Sequence, residues 1–135
     1  MTSRLLAALG SAAVAVSLAF AAPASAAPAW QTKVTLSGAQ AQLCRAPAAN
    51  ETWQVRVRVD ATGAGRTTYG RLQVQRPGGG LGPLWSSGAV NPGTVSGTGA
   101  VQVPRERPAY RLAVRLENAS TGRGALVAIN AISAC

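Results

Sequence analysis

The sequence predicts an all-β protein, a single small antiparallel β-sandwich behind a cleavable leader, with a small closed β-barrel as the alternative architecture. Three observations carry this prediction. Apolar and polar residues alternate with a period of two along several segments, and clusters of turn formers recur about every dozen residues. No helical period occurs after the first 26 positions.

Residues 1–26 read as a secretory signal peptide. Arg4 supplies the charged start, Leu5 to Ala22 the apolar stretch and Ala24-Ser25-Ala26 the small-residue cleavage site. Gly10, Ser11 and Ser17 dilute the stretch, and Pro23 and Pro28 interrupt any helix beside it, which separates it from a transmembrane anchor. The mature chain is expected to begin near Ala27, with cuts after Ala22 or Ala27 as alternatives. It is expected to be exported, to span no membrane and to form one domain over residues 27–135, long enough to bury roughly two-thirds of its unfolded surface.

The strands follow from the alternation. Trp30 to Leu36 carries apolar residues mostly at even positions, and Trp53, Val55, Val57 and Val59 alternate with Gln54, Arg56, Arg58 and Asp60. Leu72 and Val74 lie between Arg71, Gln73 and Gln75, while Tyr110, Leu112, Val114 and Leu116 alternate with Arg111, Ala113, Arg115 and Glu117. These read as half-buried strands. Weaker strands fit Ala39 to Cys44, Leu84 to Val90 and Thr94 to Val103, and a last one fits Val127 to Cys135, apolar on both parities until Asn130. Turn formers fill 61–65, 77–80, 91–93 and 119–122. The segment Tyr110 to Asn118, followed by a turn and a final strand, resembles the penultimate strand of immunoglobulin-like or fibronectin-like sandwiches, with Tyr110 at the place of a tyrosine corner. Leu112 stands where antibody domains carry Cys. The resemblance implies architecture and no activity.

Cys44 and Cys135 are the only cysteines, and in an exported chain an even count implies one disulfide. Closing a segment of that length stabilises the fold by about 4 to 5 kcal/mol on the chain-entropy model. With Arg4 removed, 12 basic residues face four acids, Glu51, Asp60, Glu106 and Glu117, for a net charge of +8. Every base but Lys33 is Arg, which grips carboxylate and phosphate bidentately. Such a surface attracts polyanions, although an arginine-rich composition also serves solubility alone.

The chain contains no histidine. That removes the usual general base and the common partner of serine and cysteine nucleophiles, so no catalysis is expected. Glu51 and Asp60 bracket one strand at a separation of about 30 Å when extended, too far for a paired-carboxylate site, and Glu106 and Glu117 bracket another; only a pair drawn from different strands, such as Glu51 with Glu117, stays open. No metal or cofactor is expected. The Gly78-Gly79-Gly80 cluster lacks the residues of a phosphate loop and reads as a turn. Asn118-Ala119-Ser120 matches a glycosylation sequon.

Binding is the expected mode of action. Arg56 and Arg58, Arg111 and Arg115, with Arg71, share the outward parity of three strands and would form one cationic face if those strands are neighbours. Its expected ligand is an anionic polymer: cell-wall phosphate polymer, acidic polysaccharide or extracellular nucleic acid. Among the aromatics, Trp53 and Tyr110 run in phase with the core, whereas the phase of Trp85 is ambiguous between core packing and a stacking platform. The alternative is a protein partner. In Pro104-Arg105-Glu106-Arg107-Pro108 two prolines stiffen an Arg-Glu-Arg tip of the kind a protease inhibitor presents, and an ordinary strand connection looks the same.

Overall fold

Alternation decides which side of each strand is buried, and eight strands share that burial between two sheets. The computed structural model describes residues 28–106 and 109–135. Residues 1–27, which include the expected leader, and two residues of the loop at 104–108, Arg107 and Pro108, lie outside the described residues. Strands β1 (Gln31–Leu36), β2 (Ala39–Ala48), β3 (Thr52–Asp60) and β6 (Gly99–Pro104) form one sheet in the order β1-β2-β3-β6. Strands β4 (Thr68–Gln75), β5 (Leu81–Val90), β7 (Arg111–Glu117) and β8 (Gly122–Ala128) form the other in the order β5-β4-β7-β8. All ladders are antiparallel, and the two sheets pack as a sandwich that is not closed into a barrel. Strand β7 is flanked by β4 and β8, and Tyr110 is buried just before it.

Val55, Val57 and Val59 of β3 meet Leu72 and Val74 of β4 and Leu112, Val114 and Leu116 of β7 in one core. Each such side chain, fully withdrawn from water, contributes roughly 1.5 to 3 kcal/mol. The edges of the sheets come together along two seams, β5 against β6 and β1 against β8. At the first, Trp85 packs against the core over Gly99, where an added Cβ would lie 1.9 Å from the indole Nε1. Only a bare backbone fits there.

The other end differs from the sequence expectation. Residues 127–135 do not form the last strand; β8 is Gly122–Ala128, and Ile129–Ala131 is a 3-10 turn. Ile129 and Ile132, three positions apart, are both buried, so the continuous apolar pattern reports a turn capping the sandwich. The tail then joins the first sheet. Pairing of β1 with β2 ends at Gln31 opposite Leu43, and beyond it Arg45 N donates to Ser133 O (2.9 Å) and Cys135 N to Arg45 O (2.9 Å). The Cys44–Cys135 disulfide locks this arrangement, with Cα atoms 4.9 Å apart. Lys33 Nζ donates to Ala131 O at 2.6 Å, and partial burial holds its pKa below the ordinary lysine value. Strand β6 is also shorter than expected, since 94–98 form a loop with one bridge at Val95.

Candidate functional site

The crossing from β3 to β4 divides the arginine set. Arg56 and Arg58 lie on the outward side of the first sheet, and Arg71, Arg111 and Arg115 on that of the second. The five do not form one face.

On the first sheet the guanidinium groups are held by the protein itself. Arg58 lies 4.4 Å over the Trp30 ring and donates from Nε to Gln42 Oε1 at 2.8 Å. Gln42 in turn donates to Gln40 Oε1, which also accepts from Thr32. Arg56 Nε donates to Gln54 Oε1 at 3.1 Å. At the lower end, Trp53 carries two cations over its ring, Arg45 at 4.4 Å and Arg105 at 4.9 Å. Arg45 Nη1 also donates to Ile129 O, and Arg105 donates to Thr52 O and Ala48 O. Cation–π contacts of this kind contribute about 0.5 to 2 kcal/mol each. Asp60 closes the row. Its pKa is lowered by the Thr62 hydroxyl first, then by the Thr62 amide, and to a lesser degree by Arg58.

The second sheet presents a different outward side. Arg71 stands directly opposite Arg115, and in the next row Tyr69 stands opposite Glu117. Arg115 Nε pairs with Glu117 Oε1 at 2.5 Å, the one ion pair among the described residues. Arg71 is exposed and has no hydrogen-bond or ion-pair partner among the described residues. Arg111 lies further along, opposite Gln75, and donates to Tyr110 O. Leu84 and Leu126, each 59% exposed, flank the row beyond Arg71 and Arg115.

At the end of this sheet where Tyr69 and Glu117 lie, an open cleft of about 790 Å3 runs beside Arg66, Tyr69, Arg71, Pro92 and Glu117. The β1–β2, β3–β4, β5–β6 and β7–β8 connections converge here. Two of them are rigidly built. Ser37 and Gly38 both adopt positive φ (49° and 84°) in a two-residue hairpin turn, and a Cβ at Gly38 would lie 2.0 Å from Gly63 O. The hairpin therefore rests on the β3–β4 loop. Asn118 Oδ1 accepts from the amides of Ser120 and Thr121, and Asn118 Nδ2 donates to Ser37 Oγ at 3.4 Å, so the sequon asparagine is engaged in its own turn. Arg66 Nη1 donates to Ser120 Oγ beside a smaller depression that shares Gly65, Arg66 and Asn118 with the cleft.

The other sequence candidates fall elsewhere. Trp85 is half-buried at the β5–β6 seam. In the 104–108 loop, Arg105 is folded back onto Trp53 rather than projecting, Glu106 is exposed, and Arg107 lies outside the described residues. Sequence reasoning passed over Tyr69, Arg66 and Trp30. Tyr69 had a signal, since it shares the phase of Arg71 rather than that of Leu72; Arg66 sits in a loop and had none.

Among the described residues, no three Cys, Asp or Glu side chains gather as metal ligands, and no helix is long and apolar enough to cross a membrane. Comparison with protein-family models, curated proteins and solved structures gives no match, so the reading of the site rests on its own chemistry.

Proposed function

We propose that the chain is an exported, non-catalytic binding protein that holds an anionic polymer through the outward arginines of the β5-β4-β7-β8 sheet. One observation carries the reading: Arg71 and Arg115 face each other in register, and Arg71 has no hydrogen-bond or ion-pair partner among the described residues. Like charges directly opposite on neighbouring strands lower stability. An external anion between them reverses that cost. Arg111 and Arg66 extend the positive potential along and beyond the strands. Export is supported by the signal-like order of Arg4, the apolar stretch and Ala24-Ser25-Ala26, together with the disulfide. The polymer is then a cell-surface or extracellular one.

Retention of the oxidised protein on immobilised polyanion tests this. Binding through several arginines releases counterions, so affinity should fall steeply, with log K linear in log salt, between about 50 and about 200 mM. Absence of retention at the lower salt contradicts the reading.

A further inference from the structure

The cleft beside the arginine row has a composition more specific than positive charge. Of its polar side chains, Asn118 accepts from two amides of its own turn and donates to Ser37, and Thr67 Oγ1 donates to Asn91 Oδ1 at 3.3 Å. What the cleft offers a ligand is Arg71, the remaining donors of Arg66, the Tyr69 ring and the partly exposed Glu117 carboxylate. The Tyr69 side chain is 45% exposed, and Pro92 contributes a second apolar surface.

This set is mixed in a way that selects among anions. Two guanidinium groups match a carboxylate or phosphate. An exposed phenol ring offers an apolar platform on which the C–H face of a sugar packs. Glu117, whose side chain is 34% exposed beside Arg115, presents a carboxylate that accepts hydrogen bonds, which a hydroxylated ligand supplies and a bare phosphate chain does not; toward such a chain it is only repulsive. Tyr69 and Arg71 are two apart on β4, so ring and charge lie on one side of the strand at a spacing of roughly 6.6 to 6.8 Å. The volume is within the ~300 to 1,000 Å3 usual for small-ligand sites.

We propose that the cleft is a subsite for one unit of an acidic polysaccharide. The carboxylate of the sugar binds Arg71 and Arg66, its ring packs on Tyr69, and its hydroxyls donate to Glu117. The proposal rests on the polymer-binding reading above and names the class of polymer.

The test uses charge-matched probes on the oxidised protein at about 50 mM salt: 1,4-linked hexagalacturonate, linear hexaphosphate and a short oligothymidylate, titrated by calorimetry. Hexagalacturonate should bind about tenfold tighter than either other probe, Tyr69→Ala should erase that preference, and Tyr69→Trp should keep it. Thermal melts of both variants should match the parent, since Tyr69 lies outside the core. Equal binding of all three probes, or a preference that survives Tyr69→Ala, overturns the sugar subsite and leaves the polymer reading standing. Preference for oligothymidylate assigns the platform to bases and overturns it as well. Failure of every probe to bind removes both.

Discussion

The outward sides of the two sheets are built from the same residue type and do opposite things with it. On the β1-β2-β3-β6 sheet every arginine is tied inward: Arg58 to Trp30 and Gln42, Arg56 to Gln54, Arg45 and Arg105 to Trp53 and to backbone carbonyls. On the β5-β4-β7-β8 sheet Arg71 faces a like charge with no partner among the described residues, and Arg115 is 61% exposed beside Glu117. A count of arginines therefore says little about binding. What separates a structural cation from one available to a ligand is whether the fold has already given it an acceptor or a ring.

If that contrast is right, damage to the first sheet should cost stability and spare binding. The largest effect is expected from removing the disulfide that fastens the tail to β2: Cys44→Ser with Cys135→Ser should lower unfolding free energy by about 4 to 5 kcal/mol in urea melts. Trp53→Ala removes a half-buried indole and the seat of two guanidinium groups, and should cost about 3 kcal/mol while leaving polyanion affinity unchanged. Gly99→Ala drives a methyl into Trp85 and should cost about 1 to 3 kcal/mol, opening the β5–β6 seam without touching the arginine row.

Smaller effects sharpen the same contrast. Arg58→Gln should destabilise by about 1 kcal/mol through loss of its ring contact and its bond to Gln42. Arg71→Gln should leave stability the same or raise it by a few tenths of a kcal/mol, because it relieves a cross-strand repulsion. The smallest effect concerns pH. Asp60 is held below the ordinary carboxylate pKa by Thr62 and then Arg58, so its contribution is fully present above roughly pH 4 and is lost as pH falls through its lowered folded value. Asp60→Asn should flatten that part of the acid limb in melts recorded against pH.

Much of the fold was legible because alternation is a direct record of burial. Strands β3 and β7 write it plainly, with valines or leucines inward and arginines outward. Strand β8, Gly-Arg-Gly-Ala-Leu-Val-Ala, does not: it is an edge strand with two glycines, and Arg123 occupies an inward-parity position at its open end. The tail misled for a related reason, as Ile129 and Ile132 are buried by a turn rather than by alternation. The site was legible only in part. Parity gave the outward direction of Arg71 and Arg115, but the partition of the five arginines depends on which connection crosses between sheets, and parity is silent on that. The cleft is assembled from three connections distant in sequence, β3–β4, β5–β6 and β7–β8, so only its strand residues Tyr69, Arg71 and Glu117 follow a pattern that a reader of the chain can see.

Two double variants that lose the same charge separate the roles of the two sheets. Arg71→Gln with Arg115→Gln, and Arg56→Gln with Arg58→Gln, should be compared for affinity to one anionic polymer at about 50 mM salt. The first pair should weaken binding at least about tenfold, since it removes charge-assisted contacts each contributing roughly 1.5 to 3 kcal/mol, and the second should change it less than about twofold. Equal losses in the two variants would show that net charge alone governs binding, and would contradict the division of labour between the sheets.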